Sequence, residues 1–162
     1  MKKFNNSENL RNQLEKGIET IATNVASTLG PKGRTVILHQ KDKMPIATKD
    51  GVKVAKFIDL ENSFQNAGAK IVKQAAEKTN QEAGDGTTTT TVLTYAMYRE
   101  AQKYLASRAA PVELKKGMDL AVNYLVRQIK DEATPIKSID DIESIATISA
   151  NGDKVIGRLI AN

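Results

Sequence analysis

The sequence predicts a mainly α domain with a small β-hairpin near its front, on three observations. Four long segments repeat apolar residues every three or four positions, the spacing of a helix with one buried stripe. Two short β-branched segments flank a charged connection, as in a hairpin. Glycine, proline and short polar residues stand at the joints, where helices start and stop.

The first helix is expected over Ser7–Leu29, with Leu10, Leu14, Ile18, Ile21, Ala22, Val25 and Leu29 on one face, Ser7 as its cap and Glu8 in its first turn. Gly30-Pro31 ends it, because a proline ring cannot continue a helix and glycine accepts the turn. Thr35–Leu38 and Ile46–Thr48 are the hairpin strands. Val52–Ile58 alternates like a strand, yet follows Asp50-Gly51, and an aspartate cap equally starts a short helix. Ser63–Ala83 is a helix with Phe64, Ala67, Gly68, Ile71, Val72, Ala75 and Ala76 on one side. Thr87–Ser107 carries Val92, Leu93, Ala96, Met97, Tyr104 and Leu105. Pro111–Glu132 begins with a proline, which needs no amide in a first turn, and spaces Leu114, Met118, Ala121, Val122, Leu125 and Ile129 helically. Beyond Pro135, Ile136–Ile148 reads as one short helix capped near Ser138. Asn151-Gly152-Asp153 is a turn that opens a last helix with Val155, Ile156, Leu159 and Ile160. That stripe is half used at Asn162, so the chain reads as cut rather than finished.

Composition narrows the chemistry. The 162 residues contain no cysteine and one histidine, which sets aside disulfides, thiolate catalysis, Cys-ligated metals and histidine-rich metal sites. No apolar run follows the N-terminus as in a signal peptide, and none approaches the ~20 residues of a membrane span. A cytoplasmic setting without membrane partners is the expectation. Lys+Arg 24 against Asp+Glu 19 leaves +5, but the charges are interleaved, as in Lys41-Asp42-Lys43. Basic residues do not alternate with stacking aromatics, so no nucleic-acid partner is expected.

Two glycine-centred turns border long helices: Thr28-Leu29-Gly30-Pro31-Lys32-Gly33, and Gly84-Asp85-Gly86 followed by Thr87–Thr91. Glycines at a helix start let backbone amides approach an anion, and the helix N-terminus adds positive potential. Threonine hydroxyls donate to phosphate oxygens, and Asp85 beside them calls for a cation, most simply Mg²⁺ shared with phosphate. A magnesium–nucleotide pocket is one reading; a tight turn with an ordinary helix start is the other. The P-loop pattern is absent. Asp50 is a third acid in a turn, either a cap or a site residue.

Thr28–Gly33, Thr48-Lys49-Asp50-Gly51-Val52, Ala83–Thr89 and Thr147-Ile148-Ser149-Ala150-Asn151 stand in the order and spacing of group I chaperonins. Over essentially its whole length the chain resembles the N-terminal part of a GroEL-type subunit. The resemblance implies an equatorial-domain-like helical bundle with its hairpin, leading into part of the intermediate domain. Residues 1–132 would be the first part of the ATP-binding equatorial domain and 133–162 the start of the hinge, the apical domain being absent. It implies that Thr28, Leu29, Gly30 and Pro31 line ATP with Lys49 beside it, that Asp85 holds Mg²⁺, and that Gly86, Thr87, Thr88 and Thr89 cradle the phosphates. Asp50 would help position the attacking water, as an auxiliary to a principal acid that lies elsewhere in such subunits. Thr90 departs from the family, which often has alanine there. The implied partners are other subunits of a double ring, a GroES-type co-chaperonin and unfolded client proteins. Residues 1–162 alone would then bind nucleotide weakly and hydrolyse little of it. A short chaperonin-like module that modulates full-length rings without hydrolysing ATP is the competing expectation.

Overall fold

The computed structural model describes residues 8–150 and 152–162. The expected cap Ser7 and the turn residue Asn151 lie outside the described residues. The order is α1 (Glu8–Ala26), β1 (Val36–Leu38), β2 (Ile46–Thr48), α2 (Gly51–Phe57), α3 (Ser63–Ala83), α4 (Thr87–Ala106), α5 (Pro111–Glu132), α6 (Ile139–Ser149) and α7 (Lys154–Ala161). The mainly helical class with one hairpin is therefore what forms. No described helix is long and apolar enough to cross a membrane. The chain divides into two compact units, meeting in sequence between Ala106 and Ser107.

In the first unit β1 and β2 pair antiparallel, Ile37 opposite Ala47. The segment after Asp50 resolves as helix, not strand. Asp50 caps it by accepting the Val52 N–H at 2.9 Å, and Gly51, Val54 and Ala55 are buried at helical spacing. Its far end is capped from outside: Lys73 Nζ on α3 donates to the carbonyl of Ile58 and, at 3.4 Å, to that of Lys56.

The core joins Ile18, Ile21 and Val25 of α1 to Leu38, Val54, Ala55, Ala69 and Val72. Two glycines allow α1 and α3 to touch backbone to backbone. A methyl on Gly17 would overlap the Gln65 carbonyl, and one on Gly68 would overlap the Leu14 carbonyl. The α1 stripe is buried as expected from Ile18 to Val25, but the helix stops at Ala26 and Leu29 is exposed. Helix α4 turns a different face to the core from the expected one. Thr87 and Thr91 are buried and Tyr95 and Tyr98 pack on the cluster, while Leu93, Met97 and Tyr104 are exposed. The Tyr95 hydroxyl donates to Glu19 on α1 at 3.1 Å, so this inward aromatic keeps its polar end near water.

In the second unit, no residue of α5 is buried. Helix α6 opens with a complete capping box: Asp141 N–H donates to Ser138 Oγ, and the Asp141 carboxylate accepts from the N–H groups of Ser138 and Lys137. The short helix therefore begins at Ile139, leaving Ile136 and Lys137 outside it. Helix α7, capped by Asp153, packs on α6 where Gly157 meets Thr147, and Arg158 pairs with Glu143 at 3.4 Å.

Candidate functional site

Three polar turns adjoin helix ends in the first unit. The first follows α1. Thr28 is buried and its hydroxyl donates to the Val25 carbonyl at 2.8 Å, closing the helix end. The Gly33 N–H donates to the Gly30 carbonyl at 2.9 Å and the Arg34 N–H to the Ser27 carbonyl at 2.7 Å. Gly30 has φ +74°, a left-handed conformation that glycine adopts without strain. Gly33 passes so close to the Thr28 carbonyl that a side chain would collide with it. The result is a tight knot that leaves Leu29, Gly30 and Pro31 exposed.

The second turn joins β2 to α2. Buried Thr48 accepts the Asp50 N–H on its hydroxyl at 3.0 Å, which fixes the backbone that carries the Asp50 carboxylate. Asp50 is half-buried and Lys49 exposed.

The third turn joins α3 to α4. Gly84 (φ +72°) ends α3 in the left-handed region, and Gly86 (φ +83°) repeats it two residues later. Between them exposed Asp85 accepts the Gly86 N–H at 2.6 Å. The Gly86 carbonyl takes the first intrahelical bond, from Thr90 N–H at 2.8 Å. Gly86 is thus a cap without a side chain, and helix geometry leaves the N–H groups of Thr87, Thr88 and Thr89 without intrahelical acceptors. Thr87 is buried, Thr88 half-buried and Thr89 exposed.

Gly51 brings the start of α2 to two of the neighbouring helices. A methyl at that position would overlap Thr88 Oγ1 and stand 3.2 Å from Val25 Cγ1. The start of α2 therefore lies directly against the start of α4 and the last turn of α1, so Asp50 and Thr88 share one junction. Asp85 sits three residues before Thr88 on the chain that enters it. The residues the structure joins by contact are Val25, Gly51 and Thr88; Leu29, Gly30, Pro31, Lys49 and Thr89 are exposed on the connections around them.

Chemically, the junction offers helix-start amides and threonine hydroxyls for an anion beside the Asp50 carboxylate, with Asp85 on the turn that leads into α4. Among the described residues no group of three or more His, Cys, Asp or Glu is placed to hold a metal. A donor set of one exposed carboxylate fits a hard cation that arrives with phosphate oxygens, as Mg²⁺ commonly does, and not a protein-only metal cage.

Four residues with contacts around these turns went unassigned at the sequence level: Thr48, Gly51, and Thr79 and Thr90, whose hydroxyls lie 3.0 Å apart. Thr48 had a visible signal, a hydroxyl two residues before an aspartate cap. The other three depend on contacts between distant segments.

The sequence profile of the TCP-1/cpn60 chaperonin family matches residues 21–162. Among solved structures, the chaperonin gp146 from the bacteriophage EL 2 (Pseudomonas aeruginosa), crystallised in the presence of ATP-BeFx, superposes with a TM-score of 0.78 at 26% identity, over 95% of this chain and 27% of that one. A second crystal form of gp146 gives a TM-score of 0.79 at 26% identity, over 96% and 28%. A group III chaperonin in the open state gives 0.78 at 26% identity, over 95% of this chain and 31% of that one. The chain thus spans less than a third of the length of these structures.

Proposed function

Because the chain belongs to the TCP-1/cpn60 chaperonin family, we propose that it is the nucleotide-binding N-terminal portion of a chaperonin subunit of the group I, GroEL type. In this assignment residues 1–132 begin the equatorial ATP-binding domain and residues 133–162 begin the hinge. The observation that carries it is the junction at Gly51, where Asp50, the end of α1 and Thr88 of the glycine-threonine turn are brought together. The ATP-BeFx present with gp146 supports ATP as the ligand.

Thr28, Leu29, Gly30 and Pro31 line the nucleotide, with Lys49 at its edge. Gly86, Thr87, Thr88 and Thr89 receive the phosphates on helix-start amides and hydroxyls. Asp85 supplies the protein carboxylate for Mg²⁺, whose contribution when bound is to neutralise phosphate charge. Asp50, held by Thr48 and its own cap, orients the attacking water as an auxiliary group. The whole subunit hydrolyses ATP, assembles with its copies into a double ring in the cytoplasm and, with a GroES-type co-chaperonin, encloses unfolded proteins.

The test is nucleotide binding by the full-length protein with and without Mg²⁺. Wild type should bind ATP with magnesium dependence, and Asp85→Ala should lose that dependence. Unchanged affinity and unchanged magnesium response in Asp85→Ala would overturn the role of Asp85.

The exposed apolar residues of α5 and α7, Leu120 at 71% and Leu159 at 79% among them, favour a partner surface in either the subunit or a short ring-modulating module. The module predicts co-purification with full-length rings and no ATP turnover of its own.

A further inference from the structure

The fourth and fifth threonines after Gly86 behave differently. Thr91 turns its hydroxyl back on its own helix, donating to the Thr87 carbonyl at 2.9 Å, the usual habit of helical threonine. Thr90 instead reaches across to α3, where its Oγ1 lies 3.0 Å from Thr79 Oγ1. Thr79 Oγ1 also donates to the Ala75 carbonyl at 3.1 Å. A hydroxyl has one proton, so Thr79 accepts and Thr90 donates, giving a directed relay from α4 through Thr79 to the α3 backbone. The Thr79 methyl stands 3.8 Å from where a Gly86 side chain would begin, against the second left-handed glycine. Thr90 also gives its N–H to the Gly86 carbonyl. The two threonines therefore brace both sides of Gly84-Asp85-Gly86, whose two left-handed glycines restrain the backbone of the turn little by themselves.

We infer that Thr79 and Thr90 form a positioning clamp, which sets the Asp85 carboxylate and the first amides of α4 for a magnesium-bound nucleoside triphosphate. This rests on the nucleotide reading of the same turn. Both threonines are positioning residues: they act through the turn and touch no ligand. Because the clamp orders the turn before ligand arrives, its loss should appear as weaker binding of the magnesium complex rather than as global unfolding.

The experiment compares full-length wild type, Thr79→Val, Thr90→Val, Thr79→Ser and Tyr95→Phe. Tyr95→Phe is the control, since it removes a hydrogen bond between helices further along α4. Binding of ATP is titrated at several Mg²⁺ concentrations, and amide exchange over residues 84–90 is followed without nucleotide. Removing one hydrogen bond of ordinary strength predicts a loss of about 2- to 10-fold in Mg-ATP affinity for each valine variant, with a higher Mg²⁺ requirement and faster exchange in the turn. Thr79→Ser, which keeps the acceptor, should restore both, and Tyr95→Phe should leave both unchanged. Valine variants that bind like wild type overturn the clamp while the nucleotide assignment stands, as does a serine variant that rescues nothing. Failure of wild type to bind ATP overturns both.

Discussion

Gly51→Ala tests the junction most directly. The new methyl would overlap Thr88 Oγ1 and press on Val25 Cγ1 at 3.2 Å, in a position that is buried on the native backbone. Threonine 88 has to change rotamer or α2 has to move off α4, and either adjustment in a packed interior typically costs about 1–3 kcal/mol. At about 2–4 °C per kcal/mol for a chain of this size, melting should fall by roughly 2–12 °C. The same figure is about a 5- to 150-fold change in the unfolding constant, readily measured by urea titration followed by circular dichroism. The obstacle is one oxygen at the end of a side chain, so a partner substitution can remove it. Thr88→Ala in the Gly51→Ala background should recover part of the loss, with a coupling of about 0.5–3 kcal/mol. Recovery stays partial because the Thr88 Cβ remains 3.3 Å away. Thr88→Ser retains the oxygen and should recover nothing. Additive effects of Gly51→Ala and Thr88→Ala, or a neutral Gly51→Ala, would show that α2 and α4 do not meet there.

Gly17→Ala and Gly117→Ala should act in opposite directions, because the first would meet the Gln65 backbone carbonyl and the second open space in the middle of α5. A denaturation series should show the first destabilising by about 1–3 kcal/mol or more and the second stabilising by about 0.5–1 kcal/mol. Asp50→Asn should keep helix α2 capped and so retain stability while impairing ATP turnover, whereas Asp50→Ala should also destabilise by about 0.5–2 kcal/mol; equal turnover in wild type and Asp50→Asn would remove Asp50 from the chemistry. Hydrogen bonds to the Asp141 carboxylate, from the Lys137 N–H foremost and from Ser138, hold its pKa below the ordinary 3.8. A lowered folded value means that the cap contributes stability above pH 3.8 and loses it as pH falls through the lower folded value. A carboxyl titration followed by NMR from about pH 5 to about pH 2 should place the Asp141 midpoint below that of an unfolded peptide, and a midpoint at or above it would refute the capping box.

Local chemistry made most elements legible. The Asp153 start, the proline at the head of α5 and the Ser138 cap each act within a few residues, and those helices begin where such signals stand, whereas α1, expected to run up to Gly30-Pro31, stops at Ala26. Val52–Ile58 was ambiguous because seven residues satisfy both an alternating and a helical pattern; the Asp50 cap and the Lys73 Nζ bonds from α3 decide for helix. The inward face of α4 was misjudged for a related reason. Hydrophobicity points to Leu93 and Met97, but Thr91 is buried and Tyr95 and Tyr98 pack on the core, the hydroxyls of Thr91 and Tyr95 finding partners at the Thr87 carbonyl and Glu19.

By itself the sequence determined the helical class and the places of the three polar turns, and it nominated candidate residues for a phosphate, since caps, glycines and threonine runs act over a few bonds. Only the tertiary structure decided that Gly51 brings α2 against Thr88, that Gly17 and Gly68 let two backbones touch, and that Thr79 pairs with Thr90. Those outcomes depend on which atoms occupy the space left by a missing side chain. That space is shaped by segments far apart in the chain, and no local pattern encodes it.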